Sequence, residues 1–519
     1  MESEGKSKPS ASVTVAVTDI GSNAIRMAVA EVLPDGRVKV LERTQRAVHL
    51  GQDTFVRGRL SNQTTAAAIS VLNDYRRILQ TYQVDHVRAV ATSAVREASN
   101  ADAFIDRIYM SCGLDMEVID PSEESRLTVS AVRQALDAAP RIDRHEALIA
   151  DVGGGNALLT ALHDGQIVAS ESYRLGSIRL QETLSTAEEP PQRAAKLIRR
   201  HISGLLGAIA GSFRLAKVRT FIAVGGDARF AARQVGKPTQ SPELHRISLK
   251  AFDKLLGNCE RRTPEELTRK YELTHAEAET LVPALVVYEG LVRATAAGRI
   301  IVSDATMRDG LLLDMARVVT GQEDEELATG MLQSARSIGE KYHCDAAHAA
   351  HVTEVALRLF DELRGEHGLT RRHRLLLHVA GLLHEVGGFV SSRAHHKHSY
   401  YLISQAEIFG LRREERQIVA LVARYHRRAV PRSTHLEYMT LPREHRMIVS
   451  KLAALLRVAD AMDRGHAQQV RSVQFERRAN ELAVYVKGAA DLTLERRALS
   501  EKVGLFEDIF GMTVRLEEA

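Results

Sequence analysis

Val13-Thr14-Val15-Ala16-Val17-Thr18-Asp19-Ile20-Gly21-Ser22-Asn23 opens the ordered part of the sequence, and Ala147-Leu148-Ile149-Ala150-Asp151-Val152-Gly153-Gly154-Gly155-Asn156 repeats its plan. Each stretch is an apolar strand ending in Asp and a glycine turn. In each, a second apolar run follows, then an Asp-Gly pair (Asp35-Gly36, Asp164-Gly165), then a third strand-like run ending at Leu50-Gly51 or Leu175-Gly176. Asp-Gly between two apolar runs is a hairpin signal. A glycine turn exposes backbone N–H groups that can cradle phosphate, and a carboxylate at its start can hold the accompanying metal. One such turn alone reads more readily as an ordinary hairpin. A matched pair suggests a clamp that grips phosphate from two sides. A third turn, Gly225-Gly226, follows the apolar run Thr220–Val224 and opens a helix, whose N-terminus suits an anion or nucleotide.

The 519 residues predict several domains. Lys and Arg total 70 against 66 Asp and Glu, a net charge of +4 that argues neither for nor against anionic partners. Cys112, Cys259 and Cys344 are odd in number and far apart, so they suggest no disulfide framework or zinc ribbon, and a cytoplasmic location is expected. Residues 1–12 are polar, lack an apolar signal region and read as a disordered tail. No apolar run is long enough to cross a bilayer.

Strands and helices alternate in two similar halves. The first adds a helix near Thr64–Tyr82, a strand at His86–Ala91, a helix near Ala101–Met110 and a short strand at Asp115–Ile119. A helix from Pro121 to about Ala139 follows. The second half closes with a strand at Ile300–Ala305 and a helix from Arg308. Past an acidic linker at 321–326 the strand pattern gives way to amphipathic helices rich in His and Arg, and after them Val470–Phe475, Glu481–Val486 and Val514–Leu516 read as strands. The expected domains are 13–130, 131–321, 322–466 and 467–519.

The glycine turns and their order resemble the actin and sugar-kinase superfamily. Within it, five segments are more similar to the Ppx/GppA family of exopolyphosphatases and guanosine pentaphosphate phosphohydrolases. They are Asp19–Asn23, Ala91–Ala98, Glu123–Leu127, Asp151–Gly155 and Leu175–Leu180. The similarity continues through His384-Glu385-Val386-Gly387 and Arg393–Ser399. This resemblance implies an α/β fold of two actin-like (ribonuclease H-like) halves around a phosphate-binding cleft, then an all-α HD-like domain and a small α/β C-terminal domain. It implies hydrolysis of the terminal phosphoryl group of polyphosphate, guanosine pentaphosphate or both, assisted by Mg2+ or another divalent cation. The implied partners are polyphosphate and guanosine penta- and tetraphosphate, in a homodimer, without nucleic acid or membrane.

By the same resemblance Glu124 is the general base, with Glu123 the fallback; a helix N-terminus favouring acids is the less favoured reading of the pair. Asp151 would hold metal with Asp19 in support. Gly21, Ser22, Asn23, Gly153, Gly154, Gly155, Asn156, Gly225 and Gly226 would bind phosphate. Arg96 would neutralise phosphate, unless it is a solvated surface charge. The pattern departs from the family at Ala24, where Ser is usual, at Asp120-Pro121, and at Asn156, Ala157 and Leu158. Leu158 replaces a carboxylate of the metal side, which suggests a weakened enzyme or a sensor that binds without turnover. In the helical region His351, His384, Glu385 and Asp460 follow the order of an HD phosphohydrolase, with Glu385 where Asp is usual. Such a set suits a divalent metal, but the degenerate motif favours structural histidines. Arg393, His396, Lys397, His398, Arg427 and Arg428 suggest either a track for a polyanion or a solvated helix face.

Overall fold

The computed structural model describes residues 12–139, 142, 144–186, 188–321, 325–470, 472–478, 480–487 and 491–518. The tail expected at residues 1–12 lies outside them except for Ser12, and so do residues 322–324 of the linker expected at 321–326. The chain divides between Glu325 and Glu326 into two compact units.

In the first unit, one sheet contains β1 (Val13–Ile20), β2 (Ala24–Val32), β3 (Val38–Ala47), β4 (His86–Ala91) and β5 (Met116–Val118), in the order β3-β2-β1-β4-β5. The second contains β6 (Glu146–Val152), β7 (Ala157–His163), β8 (Gln166–Tyr173), β9 (Thr220–Val224), β10 (Lys237–Pro238), β11 (Leu244–Ser248) and β12 (Arg299–Ser303). Its order is β10-β11-β12-β9-β6-β7-β8. The run β8-β7-β6-β9-β12 repeats the first sheet strand for strand, with β11 and β10 added at its edge. In both copies the first strand pairs antiparallel with the second and parallel with the fourth. The sequence repeat is therefore a duplicated sheet.

The central strands β1, β2, β6 and β9 are largely buried on both faces, whereas β3 and β10 at the sheet edges are largely exposed. Val15, Val17, Ala28 and Ala30 pack on one side of the first sheet, and Ala16, Ile25, Met27 and Val29 on the other. The helix Met307–Thr320 returns from the end of the second half to the first sheet, where Leu311, Leu312, Met315 and Ala316 join its core. The expected boundary at 130/131 thus does not cut this unit into two contiguous pieces.

One expected strand end is corrected. Leu50-Gly51 begins the helix Leu50–Arg57, because His49 adopts a left-handed conformation (φ 58°) that turns the chain out of β3. The hairpin at Asp164-Gly165 has both residues at positive φ, 50° and 76°, which matches the right-handed strand twist.

The second unit packs the helices Glu325–Lys341, Ala346–Glu362, Arg371–Leu383, His395–Gln405, Arg413–Arg424 and Arg443–Ala461 with a three-stranded sheet. That sheet holds β13 (Ser472–Arg478), β14 (Glu481–Lys487) and β15 (Thr513–Glu518). Val473, Leu482, Val484 and Phe506 share one apolar core with Leu452, Leu455 and Leu456 of the helix Arg443–Ala461. The separate domain expected at 467–519 is therefore part of the helical unit, because its apolar face is buried against the helix Arg443–Ala461.

Candidate functional site

The two Asp-led turns close with the same hydrogen bond. Gly21 N–H donates to the carbonyl of Ala24 at 3.1 Å, and Gly153 N–H to that of Asn156 at 2.9 Å. The turns face each other closely. A methyl group at Gly154 would lie 3.2 Å from Ser22 Cβ, and one at Gly155 only 2.2 Å from Ser93 Oγ. Ser22 and Ser93 share a buried hydroxyl–hydroxyl hydrogen bond of 3.0 Å. Arg179 donates to the Gly155 carbonyl at 2.6 Å and to Glu97 at 2.6 Å, with its guanidinium 4.0 Å over the Phe55 ring. The second turn is thereby fastened to residues of the first half.

The third turn is held against the second. Gly225 takes φ 125°, open only to glycine without strain, and a methyl there would meet the Val152 carbonyl and the Tyr288 hydroxyl, each at 2.9 Å. Buried Tyr288 donates its hydroxyl proton to the carbonyl of Val224 and accepts from Val152 N–H, so it locks β9 to β6. The helix Gly226–Val235 then starts at the opening between the turns.

These elements enclose a cavity of about 310 Å³. Among the residues expected to act, Asp19, Gly21, Ser22, Asn23, Glu124, Asp151, Gly153, Gly154, Gly155, Asn156, Gly225 and Gly226 line it. Leu158 lines it as well, 7% exposed, directly across the strand pair from Asp151. In the first copy Arg26 holds the equivalent position across from Asp19, with Nη1 3.5 Å from the carboxylate. The Asn156 side chain is already engaged: it donates to Ser172 at 3.0 Å and accepts from Arg179 at 3.4 Å.

Glu124 sits in the first turn of the helix Pro121–Asp137. The departure at Asp120-Pro121 has a local use. Asp120 caps the helix by accepting from Glu123 N–H, and Pro121 takes the first helical position, where no N–H is needed. Burial raises the Glu124 pKa; Arg96 opposes this, and the Asp19 and Asp151 charges add to it. Asp151 is raised in the same way by burial, against a hydrogen bond from Thr128 at 3.2 Å.

Glu123 and Arg96 depart from their expected places. Glu123, 2% exposed, points away from the cavity into an ion network with Arg88, Arg126 and Asp314. Arg96 does not line the cavity; it donates to Glu124 at 2.5 Å and to the Ile119 carbonyl at 2.6 Å. Its Nη2 is buried with no hydrogen-bond partner among the described residues.

The sequence reading missed several residues in the wall: Arg26, Arg229, Arg233, Arg308, Asp227 and Glu277. Asp227 and Arg229 directly follow the third glycine turn, so their position there was an available signal. Arg308 arrives only through topology, at the start of the helix after β12. Its Nε and Nη1 are buried with no hydrogen-bond partner among the described residues, and burial lowers its pKa to about 10 although Asp19 lies near. A buried guanidinium with open donors is an anion site in waiting.

A model of the Ppx/GppA phosphatase family matches residues 28–318, and a model of domain III of Ppx/GppA phosphatases matches residues 332–502. The chain belongs to the Ppx/GppA phosphatase family. It is a hydrolase, and its actin-like sheets are the fold of that family. It is 22% identical over 458 residues to a guanosine-5'-triphosphate,3'-diphosphate pyrophosphatase of Photobacterium profundum, covering 85% of this chain and 84% of that protein. An exopolyphosphatase structure from Cytophaga hutchinsonii superposes with a TM-score of 0.53 at 24% identity, covering 60% of this chain and 100% of that one. An exopolyphosphatase-like protein superposes with a TM-score of 0.51 at 26% identity, covering 59% of this chain and 99% of that one.

In the helical unit of this family member, the expected set is redrawn. His384, Glu385 and Asp460 come together, but His351 stands outside and His348, one turn earlier on the same helix, takes its place. His396, Lys397 and Arg427 lie close enough for the cations, after burial itself, to push the His396 pKa down to about 4. Arg393 and Arg428 are exposed, and His398 is partly buried. Among the described residues no helix is long and apolar enough to cross a membrane.

Proposed function

We propose that the chain hydrolyses the terminal phosphoryl group of inorganic polyphosphate, of guanosine pentaphosphate, or of both. One observation carries the reading: Glu124, Asp19 and Asp151 share a single cavity with three glycine turns and the open donors of Arg308. The Photobacterium relative, named as a guanosine pentaphosphate pyrophosphatase, and the exopolyphosphatase-like neighbour support the substrate class.

Asp19 and Asp151 fit a hard divalent cation such as Mg2+. Asp19 is buried and Asp151 partly buried on the cavity wall, and the charge of Asp19 helps raise Asp151. When bound, the cation would neutralise charge on the phosphate oxygens. The protein's own groups do the rest. Backbone N–H groups of the three turns and the start of the helix Gly226–Val235 receive phosphate oxygens, and Arg308 adds a fixed positive charge. Glu124 orients a water and takes its proton as the water oxygen bonds to the terminal phosphorus. The bridging P–O bond breaks, and the shortened chain leaves with its electrons. Its raised pKa makes Glu124 a better base than an exposed carboxylate, and Arg96 fixes its direction.

Leu158 supports a second reading, a weakened enzyme that binds polyphosphate or a guanosine alarmone as a sensor. An apolar side chain there cannot supply a charge beside Asp151. Phosphate release from polyphosphate and from guanosine pentaphosphate with Mg2+, together with calorimetric binding, separates the two. Release at an ordinary enzymatic rate supports the hydrolase and removes the sensor. Binding without release does the reverse, and neither binding nor release removes both. Dimer formation belongs to the same reading and is checked by light scattering.

A further inference from the structure

The helical unit collects four imidazoles in two close pairs. His348 Nε2 lies 3.3 Å from His384 Nε2, and His395 Nε2 lies 3.1 Å from His426 Nε2. His348, His384 and His426 are almost fully buried.

The other nitrogen of each ring is already committed. His384 Nδ1 meets the Gly381 carbonyl at 2.7 Å, His426 Nδ1 the Ala423 carbonyl at 2.5 Å and His395 Nδ1 the Ser392 carbonyl at 3.4 Å. A carbonyl can only accept, so these three Nδ1 atoms carry the proton and the Nε2 atoms carry a lone pair. His348 Nδ1 is held at 2.8 Å by the Asp463 carboxylate, which sets the same tautomer. In the His395–His426 pair two lone pairs then point at one another at hydrogen-bond distance with no proton between them, whereas His348, ringed by the Asp460, Asp463 and Glu385 carboxylates, can also carry a proton on Nε2 and donate it to His384. A shared cation resolves that conflict.

The spacing fits one. Two nitrogens bound at about 2.0–2.1 Å to a tetrahedral ion lie about 3.3 Å apart. Carbonyls and a carboxylate on the far nitrogens are the usual outer partners of metal-binding imidazoles. Carboxylates complete both pairs. Asp460 Oδ1 is 3.5 Å from His348 Nε2 and 3.6 Å from His384 Nε2. Its other oxygen is taken by Lys502, which holds the carboxylate in place without covering Oδ1. Glu385 offers Oε1 to His395 at 3.8 Å and Oε2 to His348 at 3.9 Å, and so lies between the pairs.

We propose that His348, His384 and Asp460, with His395, His426 and Glu385 alongside, form a centre for a divalent transition metal such as Zn2+, built from residues of the second unit alone. The imidazole-rich set selects such an ion over Mg2+, which prefers oxygen. The histidines expected to be structural are in this account ligands.

The test uses the full chain, stripped with chelator, reloaded with Zn2+ or Co2+ and desalted. At least one equivalent of Zn2+ is expected to remain by elemental analysis, and the Co2+ form should show the intense visible absorption of nitrogen-rich tetrahedral coordination. Both should fall at least tenfold in the double variant His384→Gln, His426→Gln, and should persist in His351→Gln, which lies outside the cluster. Less than one retained equivalent in the unaltered protein overturns the proposal whatever the variants do. Full retention in the double variant overturns it too, because the metal would then sit elsewhere.

Discussion

A carboxylic acid buried beside other carboxylates holds its proton more tightly than one in water, and the cavity contains several in that state. Burial brings Asp227 from 3.8 to about 7, against Arg229 and with Glu277 adding to the rise. The folded protein therefore keeps this proton between pH 3.8 and about 7, where the unfolded chain has lost it. Its stabilising contribution is complete at low pH and is lost as pH rises through about 7. Asp227→Asn should flatten that decline: the denaturation midpoint of the first unit should fall less between pH 4 and 7.5 than in the parent, and equal falls would assign the effect elsewhere. The neighbours Glu123 and Glu124 separate by a different measurement. Glu123→Gln removes one of the two carboxylates that pair with the buried guanidinium of Arg126, leaving Asp314, and should cost about 1–3 kcal/mol of stability, while the folded fraction keeps its turnover. At position 158, Leu158→Glu would place a carboxylate across from Asp151 and should raise turnover about tenfold, equal to about 1.4 kcal/mol of barrier. An unchanged rate would mean that the apolar side chain is not what limits it. Asp19, Asp151 and Glu124 were legible because they sit at the ends of apolar strands or beside a helix start. Arg308 was not, since only the return of its helix to the first sheet brings it to the cavity.

At the scale of single elements, the turns are set by backbone approach more than by side chains. Gly176 follows β8, and a methyl group on it would stand 2.2 Å from the Gly155 carbonyl carbon and 2.4 Å from Asn156 N. Gly176→Ala must displace the second turn. It should destabilise the first unit by about 1–3 kcal/mol and weaken phosphate binding, read by calorimetry; binding at parental strength would show that the turn does not hold the ligand. The strand–turn–strand plan was readable twice over, because apolar runs around an Asp-Gly pair recur in the same order in both halves. The end of the third strand was not: Leu50 is as apolar as any strand residue, and only the left-handed His49 before it marks the start of a helix. The short edge strands β10 and β11 also escaped notice, since neither carries a long alternating pattern.

Over the whole molecule, the duplicated sheet and the change to helices near residue 322 were visible in composition and period. The shared core of the helices and the C-terminal sheet was not, because burial between distant segments leaves no local pattern. If the cationic neighbourhood of His396, Lys397 and Arg427 receives a long polyanion, Arg427→Ala with Arg428→Ala should weaken long polyphosphate and flatten its salt dependence, by analogy with nucleic-acid binding. Short chains should keep their turnover, and equal effects on both lengths would make these charges an ordinary solvated face. The account as a whole rests on the cavity being a site of hydrolysis with Glu124 as its base. Phosphate release from polyphosphate and Mg2+ by Glu124→Gln, beside the unaltered protein, tests it most directly. The account predicts a loss of at least about 10²-fold in turnover with calorimetric binding and thermal unfolding retained; a variant that releases phosphate at the parental rate would contradict it.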